Sequence, residues 1–283
     1  MRTYMVIDPN LRREHTKLFD LDVVDVPVMC LFSGAAAEDY ADSAPYIADI
    51  TLDLADPPPK FIRTLSWPLA KTGMFVQSEG SLQDVRAHLR YFTLLARHGH
   101  EGRFFFRFWD PLFVELYLTY FREDAARVTS WCAGRTCTLS SFFAVVADNR
   151  VLRQAVLQAG VPLRSNAQPS FRLTEQDLDP YRAHRYHDEI NRIAATLRRD
   201  FMVETRTQSD ARLYQLVSQA IRQAFTYRFG RRESIYYWVV WSVLFGATFE
   251  RCLQSERVQS ILTANESEER RITALKHYLS AVQ

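Results

Sequence analysis

The stretch that decides the fold begins with Gly80-Ser-Leu-Gln-Asp-Val-Arg-Ala-His-Leu-Arg-Tyr-Phe92. After a short polar loop it continues with Arg103-Phe-Phe-Phe-Arg-Phe-Trp-Asp-Pro111. Ser81 followed by Asp84 is a capping-box pattern, which predicts that a helix begins here. The apolar residues that follow share one helical face. They are Leu82, Val85, Leu89, Phe92 and Leu95. We therefore predict a helix that runs to about Leu95.

The second half of this stretch has the pattern of a buried strand that leads into another helix. Arg103–Trp109 is rich in aromatic residues, and Phe104, Phe106 and Phe108 alternate with the residues between them. Asp110 can accept a hydrogen bond from an unpaired backbone N–H, and a proline at the first helical position loses no hydrogen bond. The pair Asp110-Pro111 therefore predicts a helix start.

Composition and charge are those of an ordinary globular protein. The 283 residues include 35 basic and 33 acidic side chains, a net charge of +2, so no overall field favours nucleic acid or an anionic membrane. The apolar run 235–249 is shorter than the roughly 20 residues that span a bilayer, which favours a buried helix. The four cysteines have no metal or disulfide spacing, and the N-terminus lacks a signal-peptide pattern. We expect a cytoplasmic protein that does not bind membranes.

The order of the predicted elements indicates an α+β fold with an α/β-like first part. Residues 1–160 alternate between strands and helices, which predicts a mixed sheet with helices. Residues 170–283 show only helical periodicity, which predicts an all-α C-terminal lobe. The polar segment 160–169 contains Pro162 and Pro169 and is the predicted boundary. The strands predicted outside the opening stretch are 4–7, 26–32, 46–52, 74–77, 128–132 and 140–147. The helices predicted in the first part are 9–19, 35–42 and 61–69.

A search for catalytic motifs favours a protein that is not an enzyme and has no cofactor. The chain has no Gly-x-Ser-x-Gly elbow, no phosphate-binding loop and no Gly-x-Gly-x-x-Gly motif. Cys132 and Cys137 are best interpreted as small buried apolar residues.

The residues leave two other functions open. A metal-dependent hydrolase would use His184, His187 and Asp188, although zinc needs three or four ligands and no further ligand has suitable local spacing. A nucleic-acid-binding regulator would use the arginines of the second half, but acidic residues offset them almost one for one. The simpler interpretation of the histidines is that they lie at the surface without a metal. The simpler interpretation of the arginines is a solvated helical surface with ion pairs.

Several motifs, in order along residues 3 to 125, resemble those of one known family. His88-Leu89-Arg90 and Phe106-Arg107-Phe108-Trp109-Asp110-Pro111 are similar to the "HLR … FRFYDP" signature of the type VI secretion effector-chaperone family, catalogued as domain of unknown function 4123. Trp109 stands where the family usually has Tyr. The remaining similar segments are 4–8, 31–34, 44–47 and 75–78.

The resemblance implies an adaptor rather than an enzyme. Such proteins are cytoplasmic, bind one toxin effector, often at its N-terminal region, and help load it onto the VgrG spike. The signature residues implied by the family are His88, Arg90, Arg107, Trp109, Asp110 and Pro111. We expect Arg107 and Asp110 to stabilise the strand-to-helix corner, because an arginine among phenylalanines needs a polar partner.

Candidate partner-binding residues follow from the aromatic content. Arg107 or Trp109 can contact the effector directly, and Tyr and Trp are good interface anchors. Four aromatic side chains of the apolar run are too many for one helix face, so some are expected at the surface. They are Tyr236, Tyr237, Trp238 and Trp241. The alternative is that all four belong to the core.

Overall fold

The computed structural model describes residues 1–7, 25–41, 43–51, 73–146, 150–154, 163–164, 171–252 and 255–281. The chain divides into two compact units, Met1–Arg182 and Ala183–Gln283. An α+β region precedes a helical C-terminal region, as the sequence predicts. Most of the predicted boundary at 160–169 lies outside the described residues, as do the predicted helices 9–19 and 61–69.

The centre of the first unit is a six-stranded antiparallel sheet. Its strands are β1 (Arg2–Ile7), β2 (Val28–Cys30), β3 (Tyr46–Asp49), β4 (Gly73–Ser78), β7 (Leu139–Val145) and β8 (Val151–Gln154). Their spatial order is β2-β3-β1-β4-β7-β8. Five of these strands match predicted strands with shifted ends, whereas β8 has no counterpart among the predicted strands.

Both faces of the central strand β1 are buried, and alternate residues pack into different clusters. Tyr4 and Val6 belong to the main core of the unit, whereas Met5 and Ile7 pack with Val26 on the other face. This is the period-two alternation of a strand covered on both sides.

Helix α2 (Leu82–Arg90) confirms the predicted capping box but ends earlier than predicted. Oγ of Ser81 accepts a hydrogen bond from the backbone N–H of Asp84, whose carboxylate accepts one from the N–H of Ser81. The helix ends in a turn in which both the backbone N–H and the hydroxyl of Thr93 donate to the carbonyl oxygen of Arg90. Leu94–Arg97 then forms strand β5, so the prediction of a helix to Leu95 was wrong.

A second, three-stranded sheet corrects the interpretation of Arg103–Trp109. Only β6 (Arg103–Phe105) is extended, and it pairs antiparallel with β5, while β9 (Arg172–Leu173) pairs parallel on the other side of β5. The backbone N–H groups of Phe108 and Asp110 bond two and three residues back, which turns the chain away from the strand direction. β6 is therefore not a strand of the main sheet.

Residues 128–132, predicted as a strand, belong instead to helix α3 (Ala125–Cys132). Asp124 caps this helix, because its Oδ1 accepts a hydrogen bond of 3.0 Å from the N–H of Arg127. The cap and the burial of Trp131 on one face outweigh the strand preference of Val128.

Helices make up the second unit. The short helix α1 (Ala35–Asp39) lies in the first unit, and α4 (Asp179–Asp200) runs across the division between the two units. The others are α5 (Met202–Thr205), α6 (Asp210–Thr226), α7 (Arg232–Leu244), α8 (Phe249–Cys252), α9 (Ser255–Thr263) and α10 (Glu268–Ser280).

The predicted apolar stripes of these helices are buried together. The core of the second unit includes Ile193 of α4, Val217 of α6, Trp238 of α7 and Leu275 of α10. The helix that covers most of the apolar run begins at Arg232 and ends at Leu244. Within the described ranges, none of the helices combines the length and apolarity needed to span a bilayer.

Candidate protein interface

The signature histidine, His88, is a buried packing residue. Its Nε2–H donates a hydrogen bond of 2.7 Å to the carbonyl oxygen of Trp131, which joins α2 to α3. Burial lowers the pKa of His88 to about 4, because the low dielectric around the ring disfavours the imidazolium. The positive charge of Arg164 acts in the same direction, so the ring is neutral near pH 7.

Asp110 caps the turn that leads into a helix, as predicted. Its Oδ1 accepts a hydrogen bond of 3.0 Å from the N–H of Leu112, and the helical segment that follows includes the π-helical turn Phe113–Leu118. The Arg107 guanidinium lies 4.0 Å from the Asp110 carboxylate and is 46% exposed. Because such an exposed pair contributes little to stability, the backbone cap is the main stabilising contact of the corner.

Trp109 lies beneath this corner rather than on its surface. Trp109 is 1% exposed, and its ring packs edge-to-face against the rings of Phe105 and Phe108, with centroid distances of 5.3 Å in both cases. Its burial favours a packing role: Trp109 supports the exposed ring of Phe105. Arg90 and Arg107, in contrast, are exposed.

An arginine-rimmed groove lies beside Phe105 in the first unit. Two adjoining depressions of about 540 and 410 Å³ share Arg90, Thr93 and Leu94 in their walls. We call the whole feature the basic groove. Its apolar surface is formed by Phe32, Tyr40, Leu94 and Phe105, and its rim by Arg90 and Arg103.

The wall of the groove is fixed by Arg86 of α2. Its guanidinium donates hydrogen bonds to the carbonyl oxygens of Cys30 and Phe32, which hold the loop after β2 against α2. The Phe32 ring meets the Phe105 ring edge-on at 5.7 Å. The groove is therefore assembled from segments that lie far apart along the chain, and no sequence motif indicates it.

A buried polar network lies elsewhere in the same unit. Oδ1 of Asp177 accepts hydrogen bonds from the Tyr117 hydroxyl and from the Arg127 guanidinium, and Oδ2 accepts from the backbone and hydroxyl of Thr174. The bond from the Thr174 N–H to the Asp177 carboxylate is one half of a capping box. Burial opposes the charged form of Asp177, but the hydrogen bonds from Arg127, Tyr117 and Thr174 outweigh it and hold the pKa below its usual range.

The four aromatic candidates of the second unit separate into two groups. Trp238 and Trp241 are buried, whereas Tyr236 and Tyr237 are partly exposed. The Lys276 ammonium lies 3.6 Å from the centre of the Tyr237 ring, and the Tyr236 hydroxyl donates to Asp200 at 3.4 Å. The tryptophans are thus placed to pack the core, and surface contact stays a prediction for the tyrosines alone.

The histidines considered for a metal site make separate contacts on α4. Nε2 of His184 lies 3.1 Å from Oδ2 of Asp188, and Nδ1 of His187 lies 2.7 Å from the Tyr214 hydroxyl. Over the described ranges, no three histidine, cysteine or carboxylate side chains are arranged to hold a metal ion.

Cys132 and Cys137 of the first unit are buried, as predicted. Burial raises the pKa of the Cys132 thiol to about 12 and that of the Cys137 thiol to about 11, so both are protonated at neutral pH. A thiol in this state is a poor nucleophile.

Comparison with known proteins finds one family. Residues 3–127 match the model of a family described as a domain of unknown function (DUF4123). No curated protein and no solved structure shows a significant match to the chain. The matched segment contains the signature residues and most of the basic groove, and it ends before Asp177.

Proposed function

We propose that this protein is a type VI secretion adaptor that binds one toxin effector and helps load it onto the VgrG spike. The match of residues 3–127 to the DUF4123 family carries the proposal, together with the order of the signature motifs inside that segment. In this proposal the protein acts in the cytoplasm, before the effector is secreted, and catalyses no reaction.

The geometry of the signature supports a binding role. His88 and Trp109 are used in packing, and Asp110 caps a helix, so the signature builds a scaffold rather than a reactive centre. That scaffold presents Phe105 and the arginines of the groove at the surface, which are the side-chain types that anchor protein interfaces.

The metal-dependent hydrolase and the nucleic-acid-binding regulator gain no comparable support. His184 pairs with Asp188, whereas His187 bonds to Tyr214, so the two imidazoles are not directed at a common metal position. Ion pairs with acidic neighbours accompany many arginines of the second unit, including Arg192, Arg199 and Arg231. A surface of this mixed sign is poorly suited to nucleic acid.

Reconstitution tests the proposal. The chain is co-expressed with the toxin encoded in the same gene cluster and with the VgrG protein of that cluster, and complexes are separated by size-exclusion chromatography. We expect the chain to bind the toxin and to be required for the toxin to associate with VgrG. Equal association of toxin and VgrG without the chain would overturn the proposal, and a toxin from a different cluster is the negative control.

A further inference from the structure

We propose that the basic groove binds an extended segment of the effector in which apolar side chains alternate with carboxylates. This inference rests on the proposed function for the identity of the partner. The groove itself is defined by Phe32, Tyr40, Arg90, Leu94, Arg103 and Phe105, all within the first unit.

The apolar surface of the groove is the first reason. Tyr40, Leu94 and Phe105 are large side chains that remain substantially exposed, and they come together in one concave feature. Scattered exposed apolar residues are normal on a protein surface, whereas a contiguous apolar depression marks a contact site. Phe105 is also held in place from below by Trp109, so little side-chain entropy is lost on binding.

The charge of the rim is the second reason. Within the described chain, neither Arg90 nor Arg103 has a carboxylate within ion-pair distance, and Arg86 donates only to neutral carbonyl oxygens. Glu38 and Asp39 of α1 are exposed but pair with none of these arginines. An acidic segment would supply the missing counter-charges, and carboxylates are the natural partners of guanidinium groups.

The open edge of β6 is the third reason. The N–H of Phe106 donates to the carbonyl oxygen of Thr93, so this N–H points toward the chain just before β5. Because directions alternate along a strand, the N–H and C=O of Phe105 point the other way, where no strand of the described chain is paired. An extended backbone can pair with these groups while its side chains fill the groove.

A second copy of the same chain fits the groove less well. Self-pairing along β6 would bring Arg103 and Arg107 of one copy close to the same arginines of the other. Like charges that face each other across strands are destabilising. The acidic and apolar segment is therefore the occupant that the charges favour.

Selection from a random peptide library displayed on phage tests the inference even while the effector is unidentified. The whole chain is the target, and the affinity of the best synthetic peptide is measured by fluorescence anisotropy. We expect enriched peptides to combine large apolar residues with Asp or Glu, and binding to weaken at high salt, because ion pairs are screened.

Matched variants assign the binding to the groove. Arg90→Glu/Arg103→Glu should weaken peptide binding by about tenfold or more, whereas Arg122→Glu/Arg135→Glu, with the same change of net charge, should leave it within about twofold. Phe105→Ser should also weaken binding. Phe225→Ser is its control, because both rings are 52% exposed and Phe225 lies in the second unit. If the double charge reversal lowers the melting temperature, Arg90→Gln/Arg103→Gln replaces it.

Four results would overturn the inference. They are enrichment of peptides without carboxylates, peptide binding unaffected by the groove variants, a groove-dependent preference for an oligonucleotide, and self-association that the groove variants abolish. Failure of the two proposals can be told apart. If an effector binds the Arg90→Glu/Arg103→Glu chain with full affinity, only the assignment of the binding site to the groove is wrong. If peptides bind in the groove but no effector complex forms, only the proposed adaptor function is wrong.

Discussion

The Tyr117 hydroxyl donates a hydrogen bond of 2.6 Å to Oδ1 of Asp177, a carboxylate whose side chain has no exposed surface. Tyr117 lies inside the segment that matches the family model, and Asp177 lies 50 residues beyond its end. Leu173, on β9, is buried in the same core. The folding unit that presents the basic groove therefore includes residues well beyond the matched segment.

Replacement of the buried carboxylate tests this connection. Asp177→Asn removes the closer of the two carboxylates that balance Arg127, and leaves this largely buried cation with only the half-exposed Asp124 carboxylate at 4.0 Å. We expect the free energy of unfolding, measured in urea, to fall by about 3 kcal/mol. Asp179→Asn is the control, because Asp179 is half exposed and its pair with Arg182 lies at the surface. A loss for Asp177→Asn no larger than that of the control would contradict the role of the network.

Acid should weaken the first unit through His88. The folded pKa of about 4 lies below the ordinary value near 6.5, so the unfolded chain binds a proton that the folded chain excludes. The contribution of the neutral ring is intact above pH 6.5 and is lost as the pH falls toward 4. Between pH 7 and pH 5 this group alone should cost about 2 kcal/mol of stability.

His88→Gln provides the comparison for that pH dependence. A glutamine amide can still donate to the carbonyl oxygen of Trp131 but does not titrate. Urea denaturation of both proteins at a series of pH values should show a shallower decline for the variant. Parallel curves would mean that the folded and unfolded states bind a proton at His88 equally well, contrary to its burial.

The corner at Arg107 and Asp110 should be maintained mainly by its cap. Asp110→Ala removes the acceptor of the Leu112 N–H and should lower the free energy of unfolding by about 1 kcal/mol. Arg107→Ala should cost less, because the exposed pair contributes little. Both variants should retain effector binding. Unchanged stability with lost effector binding in a pull-down would instead assign the mutated residue to the interface.

The aromatic residues of α7 should differ in what they stabilise. Trp238→Ala removes a fully buried ring from the second unit and should lower the free energy of unfolding by about 3 kcal/mol or more. Tyr237→Ala, which loses a partly exposed ring and its contact with Lys276, should cost about 1 kcal/mol. Thermal melting of the two variants decides this, and equal losses would contradict the assignment of Tyr237 to the surface.

Features set by neighbouring residues could be predicted from the sequence. The cap of α2 depends on Ser81 and Asp84, and that of the next helical segment on Asp110, so a short window contains all the information. The burial of Ile193 and Leu275 follows equally from helical periodicity.

Features set by distant residues could not be predicted. Arg103–Trp109 has the composition of a buried strand, but its only strand partner in the described chain is β5. The sequence of β5 continues the apolar pattern of the preceding helix, so nothing in it indicates that it pairs as a strand. Phe105 therefore lies at the edge of a small sheet and is exposed. Outside its own turn, Asp177 accepts hydrogen bonds from Tyr117 and Arg127, which lie 50 or more residues earlier in the chain. Sequence spacing does not indicate contacts over such separations.

Secretion by a bacterium that carries the gene for this chain tests the adaptor function most directly. The gene for this chain is deleted, and the secreted proteins are compared by mass spectrometry with those of the parent strain. We predict that one toxin disappears from the medium while VgrG is still secreted, and that wild-type chain and Arg122→Glu/Arg135→Glu restore it. Unchanged secretion of every type VI toxin in the deletion strain would contradict the adaptor function.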